Sequence, residues 1–304
     1  MRAGAEDLAM SFRRIASAAM EPILLIHGGV CSRLPEAGRH AEVVAVMQTA
    51  LAAGMVVLRG DGSALDAVQA AVAALEASGV LNAGRGAVRD ADGQVLLDAM
   101  LMEGHTARVG AVAGVQRVAS PVALARAVME RTGHVLLIGA GAERLADEHG
   151  LLRVADDWFG APPPDQPVAH GTVGAVARDV LGRLAAATST GGTTAKLPGR
   201  VGDSPLAGAG TWADDACAVS ATGVGEYFIR SGFAHRVAWD VGAGRAVSRA
   251  TQEGLARVAT LGGWGGCIAL AADGEAAMPF IGAGMWRGYQ RGAARPVVAV
   301  GVDA

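Results

Sequence analysis

Thr172, in the run HGTVGAV, follows a proline-rich stretch and opens an apolar, β-leaning segment. A threonine hydroxyl is a poor nucleophile unless a base lies beside it. A threonine that begins a chain carries its own base. An α-amine titrates at about 7.7–8.0, close to working pH, whereas an amide nitrogen is not basic. Used in this way, Thr172 requires scission of the Gly171–Thr172 bond. Gly171 leaves its carbonyl open to attack and tolerates strained backbone angles. The Thr172 hydroxyl can then make the cut itself, by an acyl shift from nitrogen to oxygen. The plainer alternative is a β-branched residue that simply favours a strand.

Two further segments carry chemistry. TSTGGTTAKLPGRVGDSP (Thr188 to Pro205) passes from a strand into a Gly-rich loop holding Arg200 and Asp203. A cation and an anion three positions apart can grip the two ends of an amino acid, with Arg200 forking the α-carboxylate and Asp203 taking the α-ammonium. The same spacing also fits a surface ion pair of little worth. SATGVGE (Ser220 to Glu226) ends a strand at Thr222-Gly223, with Gly225 close behind. Backbone N–H groups and a hydroxyl at such a turn can form an oxyanion hole, or can be no more than a strand-to-helix turn.

These residues need elements to hold them. PILLIHGG (Pro22 to Gly29) reads as a buried strand ending in a Gly turn, and a helical pattern runs from about Pro35 to Leu58. Ser63, with Asp66 three positions on, caps a second helix reaching Ala77. LNAGRGAV and QVLLDAML read as partners around the ADG turn, RVGAVAGV as a further strand, and Pro121 as a helix start. Residues 161–170, APPPDQPVAH, are the clearest linker and the one strong boundary. Beyond it, GTVGAVARD, LAAATSTGG, CAVSATG, the two halves of CIALAADGEAAMPF and PVVAVGV read as strands. Helical patterns cover roughly Glu226 to Asp240 and Ser248 to Leu261. Strands in blocks with helices between the blocks argue for α+β layering, not regular βαβ alternation.

The composition narrows the function classes. A chain of 304 residues with 51% apolar content can bury a sizeable core. A net charge of -3 and 4% aromatics give neither the field nor the stacking platforms of a nucleic-acid binder. Cys31, Cys217 and Cys267 are scattered and form no CxxC, so neither a disulfide framework nor a zinc site is expected, and a cytoplasmic setting fits. No apolar run of membrane-spanning length stands out, and residues 1–21 lack the apolar centre of a secretory signal. His27, beside a Gly turn, is either a structural histidine or a support to the site. His170 would leave on the other fragment after cleavage and is not read as the base.

Taken together, HGTVGAV, ATSTGGTTAKLPGRVGDSPLAGAGT and AVSATGVGE resemble the isoaspartyl peptidase/L-asparaginase family, also called plant-type asparaginases, of the N-terminal-nucleophile hydrolases. IHGG, LNAGRGAV, LLDAMLMEG and GAVAGV extend the resemblance toward the N-terminus and the GG-rich strand pair near Gly262 to Phe280 toward the other end, so that it covers the chain from about Pro22 to near the C-terminus. The resemblance implies a four-layer αββα sandwich. It implies an α subunit of residues 1–171, including an extension at 1–21 and a linker at about 161–171, and a β subunit of residues 172–304. These would assemble as (αβ)2 and act on L-asparagine and β-aspartyl dipeptides. It implies Thr172 as nucleophile freed after Gly171, Thr190 as its tuning partner, and Thr222 and Gly223 as the oxyanion hole. Arg200, Asp203 and the Gly225 carbonyl become the substrate grips, and Gly223 and Asn82, the latter near the nucleophile, are counted with them as substrate-binding residues. No cofactor is implied for catalysis. A structural sodium ion is implied on the backbone carbonyls of Leu75, Glu76, Ser78, Leu81, Ala83 and Arg85. Val224 departs from the polar residue common in relatives at that position, Asp214 and Asp215 occupy a stretch often rich in Asn, and the linker is shorter than in many relatives. Two alternatives remain at this point: glycosylasparaginase of the same fold, whose relatives usually carry Asp where Gly171 stands, and a nucleotide-binding oxidoreductase suggested by the GxG in LLIGAGAER. In the latter, Arg144 replaces the third glycine of the fingerprint.

Overall fold

The structure is a computed structural model that describes residues 20–31, 37–160 and 171–301. The linker at 161–170 with His170, and the extension up to residue 19, lie outside the described residues. In chain order the N-terminal half gives β1 (Ile23–Cys31), α1 (Ala37–Arg59), α2 (Ala64–Ala77), β2 (Leu97–Glu103), β3 (Arg108–Val115), α3 (Pro121–Arg131), β4 (Leu136–Ile138) and α4 (Gly139–Glu148). After the linker come β5 (Val173–Arg178), β6 (Leu184–Thr190), β7 (Thr211–Ala213), β8 (Cys217–Gly223), α5 (Gly225–Ser231), α6 (Phe233–Gly242) and α7 (Val247–Thr260). Last are β9 (Gly265–Ala271), β10 (Ala276–Ala277), β11 (Phe280–Ile281), β12 (Gly284–Arg291) and β13 (Val297–Ala299). The chain is α+β. An eight-stranded sheet runs β13-β12-β1-β5-β6-β2-β3-β4, and a five-stranded sheet runs β10-β9-β8-β7 with β11 on β9.

Period-two alternation decides which side chains meet. In β1, Leu24 and Ile26 join α1 and α2 in one apolar cluster, while Ile23 and Leu25 join Ile268 and Leu270 of β9 in another. In β8, Cys217, Val219 and Ala221 pack with α5, α6 and α7, and Ala218 turns to the opposite cluster. Strands covered on both faces read as continuous apolar runs, which is why they stood out in the sequence. The same alternation brings His27 of β1, Thr188 of β6 and Ser220 of β8 into hydrogen-bonding contact. The polar residues of these strands therefore share the space between β1, β6 and β8.

Several expectations need correction. Residues 81–88 form no strand and no hairpin with β2, which pairs with β3 and β6 instead. Asn82 Oδ1 accepts the Val88 N–H at 3.0 Å and closes that segment on itself. The helix read across Glu226 to Asp240 is two helices, broken at Gly232, whose φ of 57° is left-handed. β12 was not foreseen. Its GMWRGYQR buries Arg287, which a strand pattern does not anticipate; the guanidinium lies over the Phe280 ring at 5.1 Å. Gly38–Arg59 of α1 does reach membrane-spanning length and apolarity, although Met47, Leu51, Met55 and Leu58 of this helix lie in the core.

Candidate active site

β5 and β6 run antiparallel with Val173 opposite Ser189. The residue before β5 therefore faces the last residue of β6. The Thr172 hydroxyl donates to Thr190 Oγ1 at 3.1 Å, and Thr190 Oγ1 also accepts the Gly192 N–H at 2.9 Å. Both threonines are buried. Gly171 is pressed against the LNAG segment, where a Cβ would come 3.2 Å from Asn82 Cβ. Asn82 braces the loop after β6 as well, its Nδ2 donating to the Gly192 carbonyl at 2.7 Å.

The loop then carries Arg200 and Asp203 back to the same place. A Cβ on Gly192 would meet Arg200 Nη1 at 3.3 Å. One on Gly225 would meet Asp203 Oδ1 at 2.7 Å and Arg200 Nη2 at 3.1 Å. Cation and anion thus converge on a glycine with no room for a side chain. This is no surface ion pair, because Asp203 is buried and, among the described residues, its Oδ2 has no hydrogen-bond partner. Burial raises its pKa to about 7, against the pull of Arg200. The Arg200 Nε and Nη2 groups donate to the Glu226 carboxylate at 2.9 and 3.0 Å, with Nη1 on the side of Gly192 and Gly202.

Thr222 and Gly223 end β8 at the tip of β1. Thr222 Oγ1 accepts the Val30 N–H at 3.4 Å, and the Gly28 carbonyl lies beside Gly171. Gly223 has φ +149°, and a Cβ there would lie 2.5 Å from the Trp264 carbonyl. His27 is fully buried, with Nε2 at 2.9 Å from Ser220 Oγ. Ser220 Oγ in turn lies 2.7 Å from Thr188 Oγ1, which accepts from Thr211. Burial lowers the His27 pKa to about 3, although the Thr172 backbone acts to raise it. The ring is therefore neutral at working pH and cannot serve as a charged acid. Gly174 leaves the space for this contact, since a Cβ would collide with Ser220 Oγ and His27 Nε2.

The family described as Asparaginase matches residues 20–166 and 160–300. This chain belongs to the asparaginase family. Among its relatives, the isoaspartyl peptidase of Salmonella typhimurium is 43% identical over 88% of this chain and 94% of its own. The isoaspartyl peptidase of Escherichia coli is 42% identical over 88% and 92%. The isoaspartyl peptidase/L-asparaginase of Mus musculus is 38% identical over 91% and 90%.

Membership of the asparaginase family sets aside the oxidoreductase alternative, whose GxG sits where the short β4 runs into α4. Asp98, Lys196, Thr188 and Ser220 carry no local signal in the sequence, and Glu226 marks only a helix start. Their roles come from contacts between segments 26 to 193 residues apart, which no local spacing reveals.

Proposed function

We propose that this protein is an autoprocessing amidohydrolase acting on L-asparagine and β-aspartyl dipeptides through an acyl-enzyme on Thr172. The observation that carries this reading is the Thr172 hydroxyl, one residue past Gly171, donating to Thr190 Oγ1 at 3.1 Å. After scission of the Gly171–Thr172 bond, the freed α-amine takes the hydroxyl proton as Oγ1 attacks the side-chain carbonyl. Thr222 and Gly223 stabilise the oxyanion. The proton passes to the leaving nitrogen, which departs as ammonia or as the amine of the downstream residue. Water then hydrolyses the β-aspartyl ester and returns the proton to Thr172. Arg200 grips the substrate α-carboxylate. Asp203 and the Gly225 carbonyl hold the α-ammonium, a role that suits the Asp203 Oδ1 lying toward Gly225. Asn82 keeps the Gly192 turn in place.

Residues 1–171 would become the α subunit and 172–304 the β subunit, within one αββα sandwich. That layering is supported by helices packing on the outer faces of two sheets that share an apolar cluster. We place the enzyme in the cytoplasm as an (αβ)2 assembly without nucleic-acid or membrane partners.

A sodium ion would be held by backbone carbonyls between Leu75 and Arg85. Among the described residues no cluster of His, Cys, Asp or Glu offers a metal site, but neutral carbonyl oxygens suit a hard monovalent ion. The Leu81, Ala83 and Arg85 carbonyls each accept an N–H, at 2.8, 3.2 and 3.2 Å, and have a second lone pair. The Leu75 carbonyl already accepts both the N–H and the hydroxyl of Ser78 and fits less well. Glu76 and Ser78 complete the set of carbonyls implied for this ion.

Release of ammonia from L-asparagine and of free amino acid from a β-aspartyl dipeptide tests the reading. Wild type is expected to hydrolyse at least one of the two, and Thr172→Ala neither. Activity confined to glycosylated asparagine would replace it with the glycosylasparaginase alternative.

A further inference from the structure

The chain holds one lysine, Lys196, against 25 arginines. A composition that favours Arg so strongly makes a lone Lys worth locating. Lys196 is buried, on the loop between Thr190 and Arg200. Its Nζ donates to the Leu96 carbonyl at 2.8 Å and to the Gly191 carbonyl at 3.0 Å. A Cβ on Gly192 would come 2.8 Å from Nζ. A compact ammonium suits two carbonyl acceptors, Leu96 and Gly191, converging on one point.

The Gly191 carbonyl and the Gly192 N–H belong to one peptide unit. Its oxygen end faces the Lys196 ammonium, and its N–H end donates to Thr190 Oγ1, which receives the Thr172 hydroxyl. A cation on the carbonyl polarises the amide and strengthens the N–H as a donor, as in any chained hydrogen bond. The turn is pinned on its other side by Asn82, whose carbonyl accepts the Gly191 N–H at 3.1 Å and whose Nδ2 donates to the Gly192 carbonyl at 2.7 Å. Every backbone polar group of the two glycines is thereby held. Asp98, fully buried opposite Thr190 on β2, is an acidic neighbour of Lys196, its pKa raised by burial against the pull of the Lys196 charge.

We propose that Lys196 is a positioning residue for the nucleophile, fixing and polarising the Gly191–Gly192 peptide so that Thr190 Oγ1 holds the Thr172 hydroxyl in attacking geometry. The inference rests on Thr172 being the nucleophile. The Lys196 ammonium is bonded to the Leu96 and Gly191 carbonyls and is linked to the Thr172 hydroxyl through the Gly192 N–H and Thr190. Its loss therefore acts on kcat, while the Arg200 and Asp203 grips keep KM.

Lys196→Met fills the same volume without donors or charge, and the double variant Asp98→Asn/Lys196→Met also removes the acid left behind. Each is followed by thermal melting, by intact mass for the cut at Gly171–Thr172, and by kcat and KM on a β-aspartyl dipeptide. In both variants, kcat is expected to fall about tenfold or more with KM within about threefold. A folded variant that stays uncut also supports the proposal, because the same hydroxyl makes the cut. Wild-type kcat in the single variant, or its recovery in the double variant, would overturn the proposal; recovery would leave Lys196 as no more than a counter-charge for Asp98. Failure of both variants to fold would overturn it as well, assigning Lys196 to the fold. A wild type that is inactive, or that keeps its activity as Thr172→Ala, would instead remove the nucleophile reading itself.

Discussion

Asp203 carries a charge that its surroundings oppose. Its pKa stands at about 7 with burial as the main cause, and the proposed partner, an α-ammonium, needs the carboxylate. Below about pH 7 substrate binding must first expel a proton, so KM is expected to rise as pH falls through 7 and to level off above it. Asp203→Asn should raise KM about ten- to a hundredfold, the worth of one charge-assisted hydrogen bond, and should flatten that dependence. Steady-state kinetics from pH 5.5 to 8.5, a span chosen to lie about evenly around neutrality, checks both. Gly225→Ala drives a methyl group to 2.7 Å from Asp203 Oδ1 and should raise KM by at least a comparable factor. At this scale the sequence was most legible where the chemistry sits on one short segment. Arg200 and Asp203 are three apart on a loop, and Thr222 and Gly223 are adjacent. Glu226 and Lys196 were not legible in the same way. Glu226 engages Arg200 across 26 residues, and Lys196 reaches the Leu96 carbonyl across 100.

Elements set those distances, and one buried acid joins two of them. Glu76, near the end of α2, accepts the Ser120 hydroxyl at 2.6 Å and the Val122 N–H at 3.0 Å, so it caps the start of α3. Burial raises its pKa from 4.5 to about 7, against the hydrogen bonds that lower it. The folded state then binds this proton more tightly than the unfolded chain does. Stability is therefore expected to fall as pH rises from about 4.5 to 7. Glu76→Gln should remove that component, on the order of 2 kcal/mol between pH 5 and pH 7, as read from urea unfolding at those two pH values. The cap at Ser63 was visible in the sequence because a capping box is local, with Ser63 Oγ accepting the Asp66 N–H at 3.1 Å. The break at Gly232 was hidden by apolar residues that continue through it. β12 was hidden because Arg287 occupies a buried position.

At the scale of the whole molecule, the proposed cut falls between strands that end up side by side. In the large sheet β12, β13, β5 and β6 come from after Gly171, and β1, β2, β3 and β4 from before it. β1 is hydrogen-bonded between β12 and β5, and β6 between β5 and β2. Two fragments made by the cut are expected to co-elute under native conditions and to separate only in denaturant. The interleaving was not legible from strand order along the chain, since pairing partners such as Ile23 and Arg291 lie at opposite ends of it. The same arrangement lets one peptide bond open without unfolding the sheet, and on that opening the whole account depends. Intact-mass analysis of active wild-type protein, with sequencing of the new N-terminus, tests it most directly. Two fragments are expected, the second beginning at Thr172, and Thr172→Ala is expected to remain one inactive chain. Full activity in a preparation that is entirely a single uncut chain would contradict it.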